Sequence, residues 1–76
     1  AAALGWFTRG LQASPGDPVL GNNAATVLGE LGCGDRAREL LAPVLVATPP
    51  DSPWRAALEK TRASLPEADA PGCAAR

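Results

Sequence analysis

ATPPDSPW, Ala47–Trp54, places three prolines and two helix-capping residues in one short stretch. Chemistry of this kind ends one helix and starts another. Proline removes a backbone N–H, the residue before it is pushed out of the helical region, and an Asp or Ser oxygen takes up the free N–H groups of the next first turn. A near copy lies upstream as ASPGDP, Ala13–Pro18. Ala13 and Ala47, Ser14 and Thr48, Pro15 and Pro49, and Asp17 and Asp51 are each separated by 34 residues. A period of about 34 residues points to a repeat whose unit is a pair of helices. One such pair cannot bury its apolar face alone and stacks on its neighbours.

Apolar spacing fills in the elements between the joints. At about 100° per residue, Leu4, Phe7 and Leu11 share a stripe with Ala3 and Gly10 beside them. This first helix ends at Ser14, which precedes Pro15. Asp17 caps a second helix with Pro18 in its first position, running to about Leu31. Leu20, Ala24, Val27, Leu28 and Leu31 form its apolar arc, and Gly32 stops it in the left-handed cap role. Asp35 is the expected cap of a third helix, whose buried stripe is Ala37, Leu40, Leu41, Val44 and Leu45. Pro43 conflicts with that helix. It either kinks the helix with the stripe intact or ends it near Ala42. Asp51 or Ser52 caps a fourth helix with Pro53 in its first turn. Trp54, Ala57, Leu58, Thr61 and Leu65 line one side of it, and Pro66 stops it. The remainder, PEADAPGCAAR, has no apolar periodicity, so residues 66–76 are expected to be a disordered tail.

The totals set bounds. A chain of 76 residues is one small domain at most, and its apolar burial barely offsets the entropy of ordering. Seven basic and eight acidic residues give a net charge of −1 with no basic cluster, which argues against nucleic-acid or membrane-surface partners. No apolar run approaches the ~20 residues of a membrane span. Ala1–Ala3 lacks the charged lead of a secretory signal. The absence of an initial methionine points to a fragment or a processed form of a longer chain. Two cysteines, Cys33 and Cys73, leave the redox compartment open: they can pair, but the expected mobility of the tail argues against it.

Between the joints, the full unit from Pro18 to Asp51 resembles a tetratricopeptide repeat (TPR). Ala24 and Ala25 stand where that family usually has leucine and glycine. Leu28 follows at the spacing of its tyrosine, Ala37 holds its small alanine, Leu41 its large apolar residue, and Pro49 its closing proline. Gly21 replaces the family's tryptophan, a departure that leaves room for Trp6 or Trp54 to fill. Ala3, Phe7, Leu11 and Pro15 resemble the second helix of a unit, and Ser52–Leu65 the first helix of the next. The resemblance implies an all-α fold over residues 3–65: antiparallel helix pairs, about one and a half repeats plus a capping helix, four helices in a right-handed stack. More weakly, TPPDSPWRAALEKTRASL, Thr48–Leu65, is similar to the end of periplasmic repeat domains in cytochrome c assembly chaperones. The compartment stays open between cytoplasm and periplasm.

What the TPR resemblance implies for function is protein–protein recognition, with no enzyme activity and no cofactor. First helices of successive units line a concave groove that holds a peptide or a partner helix. Here that face would be Asn22, Asn23, Thr26 and Glu30, continued on the last helix by Ala56, Lys60 and Ser64. Amides and hydroxyls can bond an extended backbone without demanding one side chain. The alternative is a solvated helix face, with Asn23 bonding a neighbouring helix. Some members grip a C-terminal carboxylate through lysine, arginine and asparagine. Asn23 matches one such asparagine, but the basic partners fall at Pro53 and Ala57, so that version is not implied.

Other candidates have plainer readings. Trp54 shares a stripe with Leu58 and Leu65, which favours core packing over an exposed anchor. Trp6, Gly10 and Ala13 lie where the missing half of the first repeat would pack, so this face is the candidate interface for another copy of the chain. Cys33, before a helix start and near Arg36, is either a reactive thiol or a small residue in a tight turn. Nucleophilic catalysis would need a base, and the chain has no histidine. Asp35 and Glu39, beside Arg36 and Arg38, read as surface charge pairs. No spacing suits a metal or a phosphate loop.

Overall fold

The computed structural model describes residues 2–73, with side chains from residue 9 onward. It is all-α. Four helices follow in chain order: α1 (Ala2–Ala13), α2 (Pro18–Glu30), α3 (Gly34–Ala47) and α4 (Arg55–Ser64). Helix α2 packs against each of the other three, and α3 also packs against α4. Among the described residues α1 rests on α2 alone. The molecule is a slab only 14 Å thin, little more than one helix diameter of about 10–12 Å. Every helix therefore keeps one face at the surface.

The first joint and the end of α2 behave as their chemistry dictates. Backbone N–H of Ser14 donates to Gly10 O at 2.8 Å, which closes α1 before Pro15. Asp17 caps α2, its Oδ1 accepting from Val19 N at 2.9 Å and Leu20 N at 3.2 Å, with Pro18 in the first turn. At the other end Gly32 takes φ 81°. There Cys33 N donates to Leu28 O at 2.8 Å and Gly32 N to Gly29 O at 3.0 Å. That pair of bonds is the Schellman arrangement, which needs a residue free of Cβ strain at the left-handed position.

Pro43 neither ends α3 nor displaces its stripe. The helix continues to Ala47 with Ala37, Leu41, Val44 and Leu45 buried. Pro43 lies on the exposed side, where water can solvate the carbonyl its missing N–H leaves free. The last carbonyls of α3 are taken up by side chains. Thr48 Oγ1 donates to Val44 O at 2.7 Å, and one nitrogen of Arg55 reaches Leu45 O at 2.7 Å and Thr48 O at 3.0 Å.

Three expectations need correction. Helix α4 starts at Arg55 instead of being capped by Asp51 or Ser52 with Pro53 in its first turn, because residues 49–54 form successive turns. In them Ser52 N donates to Pro49 O and Arg55 N to Ser52 O. Trp54 therefore precedes the helix and is 40% exposed instead of packing in the core. The start of α3 is capped not by Asp35 but from the far end of the chain, by Asp69. The third correction concerns the supposed tail. Residues 66–73 form a strap laid across the start of α3 and joined to it by a Cys33–Cys73 disulfide.

The strap lacks apolar periodicity because it is tied by polar contacts and one covalent bond. Asp69 Oδ1 accepts from Asp35 N at 2.9 Å and Arg36 N at 3.2 Å, and Ala70 N donates to Gly32 O at 2.7 Å. Arg38 donates to the carbonyls of Leu65, Pro66 and Glu67, and Arg36 to that of Cys73. Pro66 O rests directly on Gly34, where no Cβ would fit.

The core comprises Ala25, Leu28, Ala37, Leu41, Val44, Leu45, Leu58 and Leu65, together with both half-cystines. Gly21 is a close joint between α2 and α3. A Cβ there would lie 2.8 Å from Val44 Cγ2. Val44 of α3 thus occupies the space beside Gly21 that was expected to take Trp6 or Trp54. Trp6 and Phe7 lie outside the residues with described side chains, as do Ala3 and Leu4.

Candidate functional site

Helices α2 and α4 lie side by side and are tied by one polar bond, in which the Thr61 hydroxyl donates to Asn22 Oδ1. Asn22 is half-buried by this contact and acts between the helices. Beyond it the two helices border an open furrow of about 260 Å³. Thr26 and Glu30 line it from α2, Thr61 and Ser64 from α4, and Gly29 forms part of its surface. Leu65 and Pro66 complete its lining. Leu65 sits so near Gly29 that a Cβ there would be 2.9 Å from Leu65 Cδ2.

Three residues expected on a binding face, Thr26, Glu30 and Ser64, therefore meet in one furrow. Asn23 and Lys60 are exposed and are not part of its lining. The polar groups are biased towards accepting. Thr26 Oγ1 already donates to Asn22 O at 2.8 Å, and Ser64 Oγ to Thr61 O at 2.8 Å. Their oxygens retain lone pairs, and the Glu30 carboxylate only accepts when ionised. Such a lining suits N–H groups of an extended chain, with Lys60 outside as the donor.

A second, larger hollow lies on the opposite side of α2, between the end of α1 and α3. It holds about 480 Å³, and its apolar floor is made by Leu11, Leu28, Leu40 and Val44. Arg36 and Glu39 stand at its edge. Sequence reasoning missed this hollow. Periodicity puts Leu11 and Leu40 on buried stripes, yet both are only half-buried. The signal present is the lack of any apolar stripe in the sequence to cover Leu40 and Pro43 together.

Two of the three residues expected at an interface, Gly10 and Ala13, have described surroundings. Gly10 meets α2, where a Cβ would lie 2.7 Å from Leu20 Cδ1. Ala13 is exposed, and Trp6 lies outside the described side chains. Cys33 is not a free thiol, being bonded to Cys73. Of the surface charges near it, Asp35 pairs with Arg38 at 3.5 Å. Among the described residues no group of acids, cysteines or histidines is placed to hold a metal, and no helix is long and apolar enough to cross a membrane. No protein-family model, curated protein or solved structure matches the chain.

Proposed function

We propose that the chain is a protein–protein interaction module of TPR type, taking an extended peptide or a partner helix along the furrow between α2 and α4. One observation carries this reading: α2 lies beside α4 as well as against α1 and α3, so Thr26 and Glu30 of one helix meet Ser64 of the other across a shared furrow. The 34-residue recurrence of the two joints supports the same unit. Binding would draw on main-chain N–H groups of the ligand, with Asn23 and Lys60 adding contacts at the borders.

The test uses a phage-displayed random peptide library panned against the disulfide-bonded chain. Enriched peptides should bind saturably and lose on the order of tenfold in affinity when Asn23→Ala and Lys60→Ala are combined. Unchanged affinity in that double variant would place the site elsewhere, and a failure to enrich any peptide would count against peptide binding.

A second reading is a structural segment that caps a longer superhelix or associates with its own kind. The observation favouring it is the open apolar hollow beside α1, whose only helical neighbour among the described residues is α2. Sedimentation at two concentrations separates the readings. Dimer formation abolished by Leu40→Glu supports self-association, and a monomer at both concentrations opposes it.

A further inference from the structure

The strap from Pro66 to Cys73 is held in an unusual way. Residues 66–72 are all exposed, and Cys73 is its one buried side chain. All other ties are hydrogen bonds at or near the surface: Asp69 to the amides of Asp35 and Arg36, Ala70 to Gly32, and Arg36 and Arg38 to main-chain carbonyls. Water competes for each of these bonds, while ordering the strap costs conformational freedom at every residue. The helices are held differently, by Leu41, Val44 and Leu58 buried between them. Covalent attachment thus governs the strap more than it governs the bundle.

The strap also shapes the furrow. Leu65, which precedes the strap, and Pro66, its first residue, both belong to the furrow's lining. Arg38 fixes that corner by donating to the carbonyls of both residues and of Glu67. We infer that the Cys33–Cys73 bond is a redox latch on the furrow: oxidised, it holds the strap, with Pro66 at the furrow, in place, and two-electron reduction by a dithiol releases the strap while Leu65 stays in the core. The motion stands on the strap's own contacts, and its consequence for binding rests on the peptide-furrow reading.

In the exchange, a thiolate of the dithiol attacks Cys73 Sγ, the S–S bond breaks, and the electron pair leaves on Cys33 Sγ. Cys33 is the residue before the first turn of α3, where the helix dipole favours an anion. A leaving thiolate stabilised in this way departs faster. The second thiol of the reductant then displaces Cys73, and the reductant closes to a cyclic disulfide. Cys33 and Cys73 each take up a proton. Both half-cystines are buried, so attack follows a lifting of the strap's end. A small disulfide such as oxidised glutathione reverses the sequence.

The test uses the whole chain with dithiothreitol as reductant and mass spectrometry to confirm the gain of two hydrogens. Three quantities are followed: amide exchange at Asp35 and Arg36 by NMR, helicity by circular dichroism, and affinity for a fluorescent library-selected peptide. Reduction should retain the helices, accelerate exchange at Asp35 and Arg36 by at least about tenfold, and weaken the peptide by about tenfold. Oxidised glutathione should restore all three. A Cys73→Ser variant should match the reduced chain and ignore the reductant. Unchanged exchange after complete reduction would overturn the latch. So would loss of the helices, which would make the bond a staple for the fold. Faster exchange with unchanged affinity would overturn the coupling to the furrow. If no peptide binds the oxidised chain, the furrow reading fails, and the exchange data alone still decide the motion.

Discussion

Asp69 and Asp35 bond each other reciprocally across 34 residues of sequence. Asp69 Oδ1 accepts the Asp35 N–H at 2.9 Å, and the Asp69 N–H donates to Asp35 Oδ2 at 3.4 Å. This is the logic of a capping box, with the cap supplied by a distant segment instead of by the residue before the helix. Cys33, the residue that precedes α3, makes no side-chain cap of its own. Asp69→Ala should therefore cost about 1 kcal/mol. Asp69→Asn, which keeps an acceptor oxygen, should lose less. Urea unfolding of the disulfide-bonded chain measures both, and an unaltered midpoint for Asp69→Ala would remove the cap from the account.

Gly21 sets how closely α2 and α3 approach. An added Cβ would lie 2.8 Å and 2.9 Å from the two γ-methyls of Val44. Val44 is buried and β-branched, so it cannot swing aside. Gly21→Ala should destabilise by about 1–3 kcal/mol through overpacking, despite alanine's better helix propensity. Val44→Ala in the same chain should recover part of that loss. Purely additive costs in the double variant would mean that the two positions do not press on each other.

Leu58 and Val46 test where the core lies. Leu58 is fully buried from α4, whereas Val46 is 89% exposed on α3. Leu58→Ala should cost about 2–5 kcal/mol, a large share of the stability expected of a chain this small. Val46→Ala should change it by less than about 0.5 kcal/mol. Equal costs at the two positions would show that α4 does not pack as described.

Much of the helical plan was legible because its signals are local. Asp17-Pro18, Gly32 and the first proline joint act on residues within one turn, and each does what its chemistry requires, whereas at the second joint neither Asp51 nor Ser52 caps α4. The stripe through Ala37, Leu41, Val44 and Leu45 was visible as periodicity and survives Pro43. What escaped is non-local. Nothing near Asp69 in the sequence shows that it caps a helix start 34 residues earlier, and a strap bound through carbonyls and arginines leaves no hydrophobic pattern. Trp54 misled for a related reason. Its place on the helical stripe assumed that α4 held Pro53 in its first turn, and two extra turns shift it out of the core. For the candidate site, Thr26, Glu30 and Ser64 were legible as one helix-face period repeated on two helices. The tie between Asn22 and Thr61 needed the structure.

Pro43 provides a prediction in the opposite direction. It lies inside α3 with its ring exposed and deprives the Glu39 carbonyl of its helical donor. An interior proline costs about 3 kcal/mol in a regular helix. Against this, proline restricts the unfolded chain, and that restriction is worth about 0.4–1 kcal/mol to the folded state. Pro43→Ala should therefore stabilise the chain by about 2–2.6 kcal/mol, with a higher urea midpoint and an unchanged slope. The Glu39 carbonyl would gain the backbone N–H that the substitution supplies, and the new amide should show slow hydrogen exchange. A neutral or destabilising outcome would mean that α3 already accommodates the ring at no cost, through a local geometry that alanine does not improve.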